Sequence, residues 1–190
     1  MGNLRSVEKA VQHLGEPCAV QGDLKGATKL IIPGVGAFGA AMERLAPLKN
    51  DITRFARDGG SLLGICLGQQ LLFESSEEMG AHEGLGLLPG VVRYLPKQPG
   101  LKVPHMGWND LRFSAGSRLG AGFPEGAQVY FVHSLYTDCA DKADVAAWSE
   151  YGITFPAAIE RGTIWGTQFH PEKSSSVGLA LLNNFLQFQP

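Results

Sequence analysis

Cysteine is scarce in this 190-residue chain, no long apolar run occurs, and neither charge sign is in excess. The three cysteines, Cys18, Cys66 and Cys139, are scattered and none lies in a CxxC pair. An odd, scattered set builds neither a disulfide framework nor a zinc site and suits a reducing compartment. No metal and no cofactor is therefore expected, and the expected location is cytoplasmic. No stretch approaches the roughly 20 apolar residues of a membrane span, and no signal-type segment opens the sequence. Lys and Arg total 16 against 18 Asp and Glu, for a net charge of -2. Without a basic run, nucleic acid is excluded as the main partner.

What the chain does have is apolar mass. Hydrophobic residues make up 44 %, enough for a packed core and a single domain over residues 1–190. Leu4, Val7, Val11 and Leu14 fall at helical spacing, and Gly15 stops that segment. Pro17 to Val20 and Lys29 to Ile32 have strand character, separated by a polar turn from Gln21 to Gly26. Phe38, Met42 and Leu45, then Ile52 and Phe55, predict two helical stretches. Ser61 to Ile65 predicts a buried strand, followed by a helical run from Gln69 to Phe73. Alternating helices and strands imply a parallel α/β sheet with crossovers. In the second half, Val91 to Tyr94, Asn109 to Phe113, Gln128 to Ser134, Val145 to Ser149 and Pro156 to Glu160 are short strand candidates. A hairpin turn at Arg161-Gly162 leads to a return strand, Thr163 to Phe169, and Ser174 to Phe188 closes as a helix. The fold class is thus α/β: a mostly parallel open sheet flanked by helices, with an antiparallel extension.

The chemistry concentrates at Gly64-Ile65-Cys66-Leu67-Gly68. This is a G-x-C-x-G nucleophile elbow, with sulfur where similar hydrolases carry serine. Its glycines permit a sharp strand-to-helix turn, and the helix N-terminus favours thiolate. Far downstream, Gln168-Phe169-His170-Pro171-Glu172 offers a base, His170, and a carboxylate, Glu172. A cysteine acyl transfer needs these: a thiolate, an imidazole that delivers a proton to the leaving amine, and an acceptor that fixes its tautomer. The Gly-rich loop Pro33 to Gly39 lacks the phosphate-binding G-x-x-x-x-G-K-[ST] pattern. It is expected to supply one oxyanion N–H, from Val35 or Gly36, beside that of Leu67. A peptide flip in this loop is a plausible gate. Cys18 and Cys139 read as buried apolar residues. His13 and His82 are expected to face solvent. The run Val103 to Asn109 is aromatic but interrupted by Pro and Gly. It reads as an irregular segment, either a buried loop or a partner-facing surface.

These residues resemble the class I, triad-type glutamine amidotransferases, and more closely the glutaminase subunits of imidazole glycerol phosphate synthase. The resemblance spans the chain. It rests on Met1 to Val7, Pro33 to Phe38, Gly64 to Phe73, Val103 to Asn109, Tyr130 to Ser134 and Gln168 to Ser174. It implies a Cys66, His170, Glu172 triad that releases ammonia from glutamine through a γ-glutamyl thioester. It implies that Gly36, Leu67, Gln70, Glu78, His133 and Ser134 bind the substrate. It also implies that Asn3, Pro104, His105, Met106, Trp108, Tyr130 and Lys173 face a partner, a cyclase subunit with a (β/α)8 barrel forming a heterodimer. Two departures stand out. Relatives begin with a strand before the match to Met1-Gly2-Asn3, so the first strand is expected to be missing, and Leu135 replaces the usual aromatic after His133-Ser134. Two other readings compete: a glutaminase serving another synthase, such as that of pyridoxal phosphate, and an inactive scaffold. The Val103 to Asn109 run argues against the first, and the intact triad against the second.

Overall fold

The computed structural model describes residues 3–190; the Met1-Gly2 portion of the opening run lies outside the described residues. In chain order the elements are α1 (Leu4–His13), β1 (Lys29–Gly34), α2 (Phe38–Leu45), α3 (Lys49–Arg57), β2 (Ser61–Cys66) and α4 (Leu67–Leu71). There follow β3 (Phe73–Ser76), β4 (His82–Glu83), β5 (Leu88–Tyr94), β6 (His105–Asp110), β7 (Arg112–Phe113), β8 (Gln128–His133) and β9 (Leu135–Cys139). The chain ends through β10 (Val145–Glu150), β11 (Thr154–Arg161), β12 (Ile164–Thr167) and α5 (Ser175–Gln187).

The main sheet has strand order β1-β2-β12-β11-β10-β7. The first three run parallel, and β11, β10 and β7 extend the sheet antiparallel. A second sheet, β4-β3-β5-β9, and a ribbon, β6-β8, pack beside it. Side chains of β2 alternate between two cores because successive residues of a strand point to opposite faces. Leu63 and Ile65 join Trp165, Phe131, Val7 and Phe185 under α1 and α5. Leu62 joins Ile32, Phe38, Ile52 and Leu71 under α2 and α3. Each fully buried aliphatic or aromatic side chain contributes about 1.5–3 kcal/mol, and both cores converge on β2. That places the C-terminal end of β2, where Cys66 sits, on a stiff support.

Several expectations are corrected here. Pro17 to Val20 forms no strand; no ladder lies beside it, and Val20 is 57 % exposed. The helix after Cys66 starts two residues early and ends at Leu71, because Phe73, fully buried, opens β3 and pairs with Leu88 of β5. The run containing His105 to Asn109 is a regular strand, in register with β8 from His105↔His133 to Asp110↔Gln128. Its Gly107 adopts φ 139°, a conformation open to glycine. Asn109 to Phe113 is accordingly broken, with buried Leu111 between β6 and β7. The β11–β12 hairpin turns one residue later than expected, at Gly162-Thr163, with Arg161 paired to Ile164. Strand β9, directly after Ser134, was not anticipated. His13 is exposed, whereas His82 is half-buried on β4. The His82 ring lies over Gly39, where a Cβ would come within 2.7 Å of it.

Candidate active site

The elbow is dictated by close approach. A Cβ at Gly68 would stand 1.7 Å from the Ile32 carbonyl oxygen, and one at Gly64 2.5 Å from the Gly68 backbone. Only hydrogen fits at either position, so α4 can begin directly against β1 and β2. Cys66 itself takes φ 55°, ψ -108°, a sparsely populated conformation that costs about 1–3 kcal/mol and is held by its surroundings. The side chain is thereby lifted off the strand end at the first turn of α4, where backbone N–H groups have no helical partner.

His170 reaches the sulfur through strand adjacency. Strand β12 runs parallel to β2, with Thr167 paired to Ile65, and His170 follows three residues on. Its backbone N–H bonds the Tyr130 carbonyl at 2.9 Å, and Ser174 Oγ bonds the His170 carbonyl at 2.6 Å. These contacts fix the imidazole between β8 and the turn that leads to α5. Glu172 Oε1 lies 2.8 Å from His170 Nδ1, and both side chains are fully buried. The Asn3 amide nitrogen lies 3.1 Å from the same Nδ1. One nitrogen cannot donate to Glu172 and accept from Asn3 together, and the shorter, charge-assisted contact takes precedence. Nδ1–H therefore donates to Glu172, which leaves the buried Nε2 without a hydrogen-bond partner and free to serve the sulfur. Burial pushes the imidazole toward neutrality, but hydrogen bonding to Cys66 and Glu172 outweighs it and raises His170 to about 9. The arrangement favours the imidazolium form of His170.

Cys66 opens onto a cavity of about 320 Å³, at the small end of the range for ligand pockets. Gly36, Leu67, Gln70, Glu78, His133 and Ser134 all line it, as does Pro104. Gly36 has φ 108° with open space around it, so it is glycine for conformation rather than for room. The preceding Gly34 abuts Leu67, where a Cβ would meet the Leu67 Cβ at 2.9 Å. The loop after β1 and the first turn of α4 thus face the cavity side by side. The Glu78 carboxylate accepts from the Phe38 backbone N–H at the start of α2, which anchors one wall. His133 Nδ1 lies 2.7 Å from the Leu135 carbonyl, and its Nε2 lies 2.9 Å from His105 Nδ1. Burial lowers His105 to about 4 and His133 to about 3, so both are neutral wall elements at neutral pH. The pocket wall also includes Val132 and Leu135. Neither was singled out as a binding residue from sequence: Val132 reads as an ordinary strand position, and Leu135 stood out only as a replacement for an aromatic. Pocket walls of this kind carry no local sequence signal.

The residues expected to face a partner divide. Met106 is 63 % and Trp108 50 % exposed on β6, with Val103 38 % exposed beside them. Pro104 and Lys173 are exposed and Tyr130 is half-buried. Tyr130 packs edge-on against Trp108 at 6.1 Å between ring centroids. Asn3 and His105 are corrected: each is only 3 % exposed. Asn3 is turned in against His170, and His105 is stacked on Tyr151 at 3.9 Å and on Phe131 at 4.8 Å. Alternation along β6 puts His105 inward and Met106 and Trp108 outward.

Residues 6–188 match the family glutamine amidotransferase class-I. The imidazole glycerol phosphate synthase subunit HisH of Desulfitobacterium hafniense (strain DSM 10664 / DCB-2) is 49 % identical over 189 residues, covering 97 % of this chain and 89 % of that protein. The chain belongs to the class I glutamine amidotransferases. HisH of Methanosarcina barkeri is 47 % identical over 191 residues, covering 98 % of this chain and 94 % of its own length. Among solved structures, PurLQS from Thermotoga maritima superposes with a TM-score of 0.73 at 20 % identity, covering 97 % of this chain and 92 % of that one. At that identity the likeness speaks for the fold alone. It agrees with the α/β sheet and flanking helices described above. Within this amidotransferase, no described helix is long and apolar enough to cross a membrane.

Proposed function

We propose that this amidotransferase is the glutaminase subunit of an imidazole glycerol phosphate synthase, acting in histidine biosynthesis. The observation that supports the reading is the parallel pairing of β2 and β12, which sets Cys66, at the wall of one amino-acid-sized cavity, and His170 at neighbouring strand ends. The Cys66 thiolate attacks the side-chain amide carbon of glutamine. The N–H of Leu67 and one from the Val35–Gly36 loop receive the developing oxyanion, and losing one such donor costs about 3 kcal/mol of transition-state stabilisation. His170 Nε2 gives its proton to the departing nitrogen, which leaves as ammonia, and a γ-glutamyl thioester remains on Cys66. His170, now neutral, takes a proton from water, whose oxygen attacks the thioester. Glutamate leaves and the thiolate–imidazolium pair is restored. Glu172 keeps the imidazole in the tautomer this sequence requires.

Ammonia released into water at neutral pH is mostly protonated and no longer nucleophilic, so the product must pass directly to an acceptor enzyme. The exposed apolar strip of Val103, Met106 and Trp108 on and beside β6, next to the cavity, is the surface suited to seal that transfer. Its occupant in this reading is a (β/α)8-barrel cyclase subunit. The test is glutamate release by the purified chain with and without that cyclase. The expected result is turnover stimulated by the cyclase and abolished by Cys66→Ala. Strong turnover in the isolated chain, unchanged by the cyclase, would overturn the coupling.

A further inference from the structure

Gln168 lies two residues before His170 and is fully buried. Its backbone N–H is held by the Ala157 carbonyl of β11 at 2.8 Å, so its side chain has little room to wander. The amide nitrogen lies 3.7 Å from Cys66 Sγ, within reach of an N–H···S bond. Its oxygen lies 3.0 Å from Gln70 Nε2, and the same Gln70 nitrogen lies 3.2 Å from the Leu135 carbonyl oxygen.

The directions of these bonds determine one another. A carbonyl can only accept, so Gln70 must present its NH2 to Leu135. The second hydrogen of that NH2 then points at Gln168, which must answer with its oxygen. The Gln168 NH2 is thereby turned to the sulfur. The Leu135 carbonyl uses its other lone pair on His133 Nδ1–H, so His133 Nε2 must accept from His105 Nδ1–H. The Asn109 amide nitrogen stands 3.4 Å from the remaining His105 nitrogen. Six neutral groups are so arranged that only one orientation of Gln168 satisfies them all. An amide locked in this way is a preorganised donor, and in a buried site such donors act more strongly than in water.

We propose that Gln168 is a fourth catalytic group of this site, a fixed N–H donor that holds the Cys66 sulfur as thiolate, with Gln70 as the positioning residue that sets its direction. The inference rests on the reading of Cys66 as the nucleophile. A donor to sulfur strengthens when the sulfur becomes an anion. The Cys66 thiol has a competing acceptor, the Val132 carbonyl at 3.9 Å, but that contact serves only the protonated form. As the proton passes to His170, the Val132 contact is lost and the Gln168 contact gains. The same donor would assist twice in one cycle: it stabilises the attacking thiolate, and it receives the thiolate again when water displaces it from the thioester.

The test reads the sulfur directly and needs neither glutamine nor a partner. The rate of Cys66 alkylation by iodoacetamide is followed on the Cys66 peptide between about pH 5 and 10, the range over which reactive thiols ionise. Gln168→Met, which keeps bulk and removes the donor, is expected to displace the alkylation curve upward by about one pH unit, a roughly tenfold slower reaction on the acid limb of that curve. Gln168→Glu should displace it further, because a carboxylate would face the sulfur. Gln70→Met should displace it less, since Gln168 stays in place but is no longer oriented. The other titratable groups facing the sulfur are His170 with Glu172 behind it, His133 from β8, and Glu78 across the cavity. None of these is altered by the substitutions. A curve that coincides with the parent's, in whichever of these variants folds to the parent's melting temperature, overturns the proposal even if turnover falls. Failure of the broader reading is separate: glutamate release that survives Cys66→Ala would dethrone the nucleophile whatever the alkylation curves do.

Discussion

The two sides of the cavity are built by different means. On the β2–α4 side, residues close in sequence impose the geometry: Gly64 and Gly68 leave no space for a Cβ, so the turn that raises Cys66 is encoded within five positions. On the opposite side, the wall from β8 and β9, backed by β6, the end of β12 and the start of α1, is assembled by contacts between distant segments. Asn3 meets His170 across 167 residues, Gln70 meets Gln168 across 98, and His105 meets His133 across 28. The first side places the nucleophile by steric necessity. The second fixes the surrounding hydrogen-bond directions, and it also carries the exposed Met106 and Trp108. A site that must hold one reactive atom rigidly while communicating with a surface gains from this split, because the surface can shift without moving the elbow.

The comparison can be broken most severely at the sulfur. Cys66→Ala should lower kcat by about 10⁴-fold or more, and adding His170→Ala should cost almost nothing further, since the two act as a unit; glutamate release decides it. Next, Gly68→Ala should destabilise the fold by about 3 kcal/mol or more, because its Cβ meets backbone that cannot retreat; denaturant unfolding would reveal this. Gly36→Ala sharpens the contrast, for that position has space but a positive φ. Folding stability should fall by only about 1 kcal/mol, while kcat/KM drops about 10- to 100-fold as an oxyanion N–H is misdirected. Equal losses of stability at Gly36 and Gly68 would erase the distinction.

Stability against pH divides that opposite side in turn. His170, raised to about 9, contributes stability that is fully present below its unfolded value near 6.5 and is lost as pH rises through 9. His105 and His133, lowered to about 4 and 3, act the other way. Below about pH 6.5 the unfolded chain takes up protons that the folded chain refuses, so stability falls as pH drops toward 4. Denaturation midpoints should therefore peak near pH 6.5–7 and decline on both sides. Glu172→Gln should flatten the alkaline limb and leave the acid limb in place. The smallest effect on the chain itself belongs to Trp108→Ala. With half of its surface already exposed, its loss should change the stability of the isolated protein by less than about 1 kcal/mol. The same change should weaken cyclase binding by about 2 kcal/mol, measured by titration with the partner.

Much of this architecture was legible in local pattern. The α1 spacing of Val7 and Val11, the apolar run of β2 and the serines opening α5 each state a period or a boundary that short-range sterics enforce. The errors share one cause. Pro17 to Val20 has strand composition but no neighbouring ladder, and backbone hydrogen bonds need a partner. The segment from His105 to Asp110 looked irregular because of Gly107, yet β8 provides a continuous register that overrides local preference. Phe73 belongs to β3 rather than to the preceding helix because burial against Leu88 outweighs one more helical turn. Asn3 and His105 were assigned outward, and the direction of a side chain follows from packing rather than from motif.

By itself, the sequence determined that a thiol would stand at a sharp strand-to-helix turn, because two glycines at that spacing admit almost no other backbone. It also determined that an imidazole and a carboxylate would leave a strand end together, since Pro171 sets the turn between them. Only the tertiary structure decided that β12 would lie beside β2 and bring His170 to the sulfur. It alone turned the Gln168 amide toward Cys66, because hydrogen-bond direction in a buried network depends on every partner at once, and those partners come from across the chain.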